Sequence, residues 1–452
     1  MSIRNIPITL SCLLGLACVI TSAGCRKLLD VAPPQDHVST GMVFSSDTNA
    51  LSALTGLYIE MMDNPRGLVN GSLSIYQGLS SDELVNAFPN PNEDAFRTNT
   101  LSADNAVCAN LYNTAYSLIH VANALLTGLD GSSGVSAATK AEIRGEAEFV
   151  RALVYFYLVN DYGPVPLVTT SDYTTSAQLP RASTAQVYQQ IVTDLEGAVA
   201  LLSADYITTS DYAGERTRPN RSTALALLAR VRLYMGQWAA ADSAASAVIG
   251  NPLYRLEPNL DSVFLSSSRE AIWQLQPVHG NMATAEGQAF VSGMYILTDK
   301  LLNAYEAGDQ RKTRWTAKAP SGKYYAYKYK RTSYDPSRKE YDMVIRLGEI
   351  YLIRAEARLH EGLVNEASAD LNTIRSRAGL APVTANDSTI LHERQVELMT
   401  EWGHRWLDLK RSNFATTVLG PIKATWKPTA VLYPLPATEL VNNPGLVQNS
   451  GY

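Results

Sequence analysis

Residues 225–245, LALLARVRLYMGQWAAADSAA, and residues 351–371, YLIRAEARLHEGLVNEASADL, carry one pattern twice. Leu225, Leu228, Ala229, Gly236, Ala241 and Ala245 fall at the offsets of Tyr351, Arg354, Ala355, Gly362, Ala367 and Leu371, 126 residues later throughout (351 minus 225). Residues three and four apart share one helix face, so these positions form a stripe. Alanines on the stripe let two helices approach closely. The glycine between the two runs supplies a left-handed turn that closes a hairpin. The spacing predicts two helical hairpins of one design with a long insertion between them.

Working outward, the same period recurs. Residues 107–126 read as a helix. So do residues 140–160, where Phe149, Leu153 and Phe156 stand at i, i+4 and i+7, stopped by Tyr162-Gly163-Pro164. Residues 186–202 place Val187, Ile191, Leu195, Val199 and Leu202 at helical spacing, and 223–249 is a helix pair broken at Gly236. The expected fold class is mainly α: a tetratricopeptide-like helical hairpin scaffold plus a loop-rich, less regular, ligand-facing part. On spacing alone a generic αα-hairpin reads the same way. The insertions are residues 62–101, 276–294 and 309–342, rich in Asn, Pro, Gly, Ser or Tyr, and residues 323–330 alternate like a short hairpin. The tail 432–452 reads as coil that packs back on the body.

The first 25 residues set the compartment. Arg4 precedes an uncharged apolar run at 6–20, shorter than the roughly 20 residues a membrane span needs. Thr21-Ser22-Ala23-Gly24-Cys25 then resembles a lipobox, in which the peptidase cuts before the cysteine and the cysteine becomes lipid-modified. The expected layout is a signal peptide at 1–24, a lipid-anchored tether at 25–38 and one domain at 39–452. Of the four cysteines, cleavage removes Cys12 and Cys18 and lipid occupies Cys25, leaving Cys108 without an internal disulfide partner. Thirty-eight Lys and Arg against 43 Asp and Glu give a net charge of -5, without a basic block, which argues against nucleic-acid binding.

Residues 391–411 read as the most charged helix, with Glu401 and Arg405 at i, i+4 and Glu401, His404 and Asp408 on one face. That trio is either a catalytic or metal-binding set or a charge network tying the last scaffold helix to its neighbours; the second reading is the ordinary one. There is no His-Glu-x-x-His, calcium loop, phosphate loop or Gly-x-Ser-x-Gly elbow, so no cofactor or metal is expected. Asp82-Glu83 and Glu93-Asp94 are the carboxylates a glycosidase would need. Adjacent residues face different ways, so each pair offers at most one.

Several ordered motifs resemble the SusD/RagB family of Bacteroidota surface lipoproteins. They are Cys25-Arg26-Lys27-Leu28-Leu29-Asp30, Glu146-Ala147-Glu148-Phe149-Val150-Arg151-Ala152, Tyr162-Gly163-Pro164-Val165-Pro166, Pro180-Arg181-Ala182-Ser183, Arg346-Leu347-Gly348-Glu349, Glu401-Trp402-Gly403-His404-Arg405-Trp406 and Tyr433-Pro434-Leu435-Pro436. The resemblance implies a non-catalytic protein on the outer face of the outer membrane. It would capture a nutrient, an oligosaccharide or alternatively a peptide, and pass it to a SusC-like TonB-dependent transporter. A surface glycoside hydrolase is the remaining alternative.

Sugar rings stack their C–H faces on flat aromatic faces, with polar neighbours bonding the hydroxyls. Loop aromatics are therefore the ligand candidates: Trp315, Phe88, Phe96, Tyr173, Phe290 and Tyr334, with His279 and Asn281 as hydrogen-bonding neighbours. Tyr325, Tyr327 and Tyr329, at period two, would share one side of a strand, which reads as a core face.

Overall fold

The computed structural model describes residues 40–64, 67–207, 215–278 and 283–452. Cys25, His279, Asn281, the signal and the whole tether lie outside the described residues. One unit ends at Val43 and contributes the turn Thr40–Val43. The other runs Phe44–Tyr452 and holds everything below.

Its principal helices are α1 (Asp47–Asp63), α2 (Pro91–Thr98), α3 (Ala106–Asp130), α4 (Ala137–Tyr162), α5 (Thr184–Leu201), α6 (Arg221–Tyr234), α7 (Trp238–Ile249), α8 (Ala285–Val291), α9 (Leu347–His360), α10 (Val364–Arg377), α11 (Asp387–Glu397) and α12 (His404–Arg411). The fold is mainly α. The scaffold stacks α3 on α4, α4 on α5, α5 on α6, α6 on α7, α7 on α9 and α9 on α10 and α11. Side chains define the starts: Ser183 with Gln186, Asn220 with Thr223 and Asn386 with Thr389 form reciprocal caps on α5, α6 and α11. Helix α4 stops where expected, with Gly163 at φ 70° before Pro164.

The two predicted hairpins are α6–α7 and α9–α10, and their starts keep the 126-residue offset (Arg221 to Leu347, Trp238 to Val364). Gly236 and Gly362 turn the chain at φ 68° and 82°. Because α7 packs on α9, the hairpins are neighbours in space and the intervening chain is looped out between them. Ala241, Ala245, Ala355 and Ala367 are fully buried at these crossings. Polar ties run across them. Arg354 donates to Asp370 at 2.6 Å and Ser246 at 3.2 Å, and Arg358 to Asp242 at 3.2 Å.

The short strands are β1 (Leu84–Asn86), β2 (Val165–Pro166), β3 (Arg181–Ala182), β4 (Ala271–Leu275), β5 (Tyr295–Leu297), β6 (Thr316–Lys318), β7 (Tyr324–Ala326) and β8 (Asp342–Arg346), paired antiparallel as β1–β5, β2–β3, β4–β8 and β6–β7. The long insertion leaves the scaffold through β4 and returns through β8, so one buried two-stranded ladder closes its root. Trp273 of β4 meets Phe149 of α4 edge-on at 4.9 Å, and Phe149 and Phe156 are core residues.

At that root sits a buried ion network. Arg346 Nη1 donates to Glu270 at 2.8 Å and Glu397 at 2.6 Å, and its Nε to Glu401 at 2.7 Å. Arg377 also binds Glu270 and Glu397; Arg311 binds Glu393 at 2.6 Å and Glu397 at 2.9 Å; Lys328 binds Glu401. Burial alone would raise the Glu397 carboxyl, but Arg377, Arg346 and Arg311 together hold it well below the usual carboxylate range.

This network corrects one expectation. Residues 391–411 do not form a single helix. Helix α11 ends at Glu397 and α12 begins at His404, with Thr400, Trp402 and Gly403 at positive φ between them. The Glu401–Arg405 pair does not form: Glu401 turns to Arg346 and Lys328, and Arg405 reaches Asp82 at 2.8 Å. The cause is docking of the segment Leu68–Gln77. Trp402 N–H donates to Ser74 Oγ at 2.9 Å, and a Cβ on Gly403 would lie 1.5 Å from Gln77 Oε1. His404 is buried, and burial with Arg230 and Arg394 nearby holds its imidazole neutral. The charge-network reading of 391–411 is the one observed.

A second correction concerns residues 323–330. Only Tyr324–Ala326 is strand, and its partner lies upstream at Thr316–Lys318. Tyr329 is buried and its hydroxyl accepts from Met343 N–H at 2.8 Å, while Tyr325 and Tyr327 are half-buried, edge to face at 5.9 Å. The three tyrosines do not share one core face. The tail does pack back: Asn449 Nδ2 donates to Tyr162 O at 2.9 Å and Tyr433 O at 2.7 Å.

Removing Arg346 takes from Glu270, Glu397 and Glu401 the one cation they share and leaves the buried cluster with one positive charge fewer. Arg346→Met is expected to cost about 3–5 kcal/mol of unfolding free energy, read from urea midpoints.

Candidate functional site

The last turns of α1 form the edge of a composite cleft. One lobe, about 380 Å³, lies between Met62 and Asp63 of α1, Asn70 and Tyr76 of the Leu68–Gln77 segment, Gln288 of α8 and Tyr295 of β5. The second lobe, about 410 Å³, lies between Tyr58 and Ile59 of α1, Thr217, Arg218 and Leu275. Met62, Asp63, Pro277 and Val278 border both, so the lobes adjoin across a shared wall.

Local chemistry holds this wall. Asn70 Nδ2 donates to Met62 O at 2.6 Å, satisfying a carbonyl at the end of α1. Gly71, at φ 76°, brings the segment onto α8, where a Cβ would sit 2.7 Å from Ala285 Cβ. Ser74 Oγ donates to Glu286 on the buried face of α8 at 3.2 Å. In the second lobe Arg218 donates to Glu146 at 2.6 Å and Glu142 at 3.2 Å, and its guanidinium lies 5.3 Å from the centre of the Tyr58 ring. The Tyr58 hydroxyl bonds Glu146; burial, then that carboxylate, push the phenol well up, so it stays neutral. The cleft thus offers tyrosine rings, side-chain amides and carboxylates, the equipment that holds a polyol.

The residues singled out in the sequence scatter. Trp315 is fully buried, its indole N–H donating to Leu260 O at 3.0 Å, and it has no face to offer a ligand. Phe96 and Phe290 are buried as well, but directly behind the cleft: Phe96 stacks on Tyr76 at 5.1 Å and Phe290 meets Tyr295 edge-on at 6.3 Å. Phe88 is 68% exposed, and Ala87 beside it bonds Met294 O at 2.9 Å on the cleft rim. Tyr173 and Tyr334 are exposed and line neither lobe. Val278 and Ala283, which flank 279–282, both line the first lobe. Sequence reasoning missed Tyr58, Tyr76 and Tyr295. Tyr76 stood inside the flagged stretch 62–101, but nothing local distinguishes it from Phe96.

The carboxylate candidates do not assemble into a hydrolytic pair. Asp82 is bound by Arg405, and Glu83 is buried with Thr400 N–H donating to it at 3.1 Å. Asp94 pairs with Arg97 at 3.0 Å, and only Glu93 of the four lines the cleft. Glu306, His392 and Glu393 come within 4.8 Å of one another, but Arg375 and Arg311 already bind the two carboxylates, which leaves no charge for a cation to balance.

Two family models match the chain. One, described as starch-binding associating with outer membrane, covers residues 27–233; the other, described as the SusD family, covers residues 278–452. The chain is 26% identical to the SusD-like protein P38 of Formosa agariphila over 522 residues, spanning 99% of both. It is 32% identical to the starch-binding protein SusD of Bacteroides thetaiotaomicron over 126 residues, 24% of this chain and 21% of that one. Among solved structures, a laminarin binding SusD-like protein superposes with a TM-score of 0.75 at 24% identity, covering 90% of this chain and all of that one. Surface glycan-binding protein A from Bacteroides uniformis does so with 0.78 at 23%, covering 89% and 99%.

Burial pushes Glu83 up to about 8, from an ordinary value of 4.5. The folded protein therefore holds a proton there that the unfolded chain releases. The stability this contributes is full below pH 4.5 and lost as pH rises to about 8. Unfolding free energies from urea titrations at mildly acidic and mildly alkaline pH are expected to differ less in Glu83→Gln than in wild type, by an amount on the order of a few kcal/mol.

Proposed function

The chain belongs to the SusD family, and on that footing we propose that it is a non-catalytic receptor that binds a nutrient oligosaccharide in the cleft at the end of α1. The observation that carries this is the pair of adjoining lobes bordered by Tyr58, Tyr76 and Tyr295, with Phe96 and Phe290 packed against two of them. Tyr76 and Tyr295 are 3% and 6% exposed and braced by Phe96 and Phe290; such a rigid aromatic wall loses little entropy when a sugar settles against it. The names of the relatives, starch-binding, laminarin binding and glycan-binding, support an oligosaccharide over a peptide.

In this reading Cys25 carries lipid, residues 25–38 tether the domain 39–452 to the outer membrane on its extracellular face, and the occupied receptor hands its ligand to a SusC-like TonB-dependent transporter. Among the described residues no helix is long and apolar enough to cross a membrane, which accords with lipid as the anchor.

Calorimetry with oligosaccharides tests the site. Tyr295→Ala is expected to weaken binding by about tenfold, the scale of one lost stacking contact. Phe88→Ala, at an exposed position, weakens it less, and Tyr173→Ala leaves it unchanged. Chromatography of the incubated sugar shows no product. Release of shorter sugars would overturn the receptor reading in favour of a hydrolase, and binding of peptides alone would overturn the choice of ligand.

A further inference from the structure

Helix α3 borders a further hollow, of about 240 Å³, that shares no described lining residue with either lobe of the cleft. Tyr112, Tyr116 and His120, at i, i+4 and i+8, stand on one face of α3 and form the first wall. Pro166 and Val168 form the second. The C-terminal helix Ala437–Asn442 supplies Glu439 and Asn442 as the third.

Hydrogen bonds hold the walls at fixed distances. The Tyr116 hydroxyl donates to Pro166 O at 2.8 Å, and Asn123 Nδ2 donates to Val168 O at 3.0 Å, so the second wall is tied to α3. The tail is pinned on both sides of Leu446. Asn443 Nδ2 donates to Leu179 O at 2.9 Å, and Arg181 Nη1 donates to Val447 O at 2.6 Å. The tail therefore cannot slide inward to fill the space. A hollow formed in advance asks a ligand for little reorganisation.

The lining is chemically mixed. Tyr112 is buried and its ring lies 4.8 Å from that of Tyr116, which is half-buried, while His120 is exposed. Burial above all, with the Glu439 carboxylate adding to it, pushes both phenols up, so each stays a neutral hydroxyl. Among the described residues no side-chain hydrogen bond or ion pair engages His120, Glu439 or Asn442. They offer a carboxylate that accepts, an amide that does both and an imidazole, arranged beside the apolar surface of Val168 and the Tyr116 ring. A sugar ring has the matching pattern, an apolar C–H face rimmed by hydroxyls. The volume lies below the roughly 300 Å³ at which pockets begin to enclose larger ligands, which leaves room for about one ring.

Resting on the oligosaccharide reading above, we infer that the hollow between α3 and the C-terminal helix is a second carbohydrate site, separate from the cleft, that holds one terminal sugar unit.

The test is calorimetry of the purified protein, at up to millimolar sugar, with tetrasaccharides of β-1,3-glucan, α-1,4-glucan, mannan, xylan and fructan. The tetrasaccharide that binds should reach two molecules per protein. His120→Ala and Glu439→Ala, at positions that are not buried, should each abolish the second binding event and leave the affinity of the first unchanged, a split that general damage to the fold would not give. Tyr295→Ala should weaken the first event about tenfold and leave the second. One sugar per protein, unaffected by His120→Ala and Glu439→Ala, overturns this inference and leaves the glycan reading standing. A second event that survives both substitutions also overturns it. Failure of every tetrasaccharide to bind overturns the glycan reading itself, and this inference with it.

Discussion

The Arg346 guanidinium, fully enclosed among Glu270, Glu397 and Glu401, is the interaction on which the rest of the structure depends. It stands at the end of β8, where the long insertion rejoins the scaffold. Its partners come from the start of the insertion, from the end of α11 and from the break before α12. One planar group thus ties three chain segments that lack a common hydrophobic stripe. Burying one charge alone is costly; a guanidinium whose donors all meet carboxylates or carbonyls recovers that cost and fixes direction as well as distance. A purely apolar junction would hold these segments together without setting their relative angle.

That angle matters because the cleft is built on it. Glu401 holds the turn at 398–403 in place, and Trp402 in that turn positions Ser74 and with it the Leu68–Gln77 wall. Through Ser74 and Glu286 the same chain of contacts reaches α8, the opposite wall. The helical hairpins supply a stiff frame, and the irregular insertions lean on it to shape a binding surface, the usual division between scaffold and loop.

The frame was legible in the sequence because its signals are local and periodic. Alanine and glycine at fixed offsets announce a hairpin whatever surrounds it, and the 126-residue echo survives in the helix starts. The cleft was not legible in the same way. Trp315 looked like a stacking residue in a polar loop, yet Leu260, Phe264 and Lys328, all more than ten residues away in sequence, enclose it. Phe96 and Phe290 touch the cleft-lining Tyr76 and Tyr295 without lining the cleft themselves, since the spacing of aromatics says nothing about which ring borders a cavity. The break between α11 and α12 was hidden for the opposite reason. Helical periodicity continues through residues 398–403, and only the partners of Glu401, Trp402 and Gly403 on other segments show that the backbone must turn there.

The account's central claim is that the ligand sits in the cleft at the end of α1. A crystal structure of the protein with a bound neutral oligosaccharide would settle it. The sugar is expected in the lobe that Tyr76 and Tyr295 border. Sugar found only beside the exposed Tyr173, or on the helical hairpins, would contradict it.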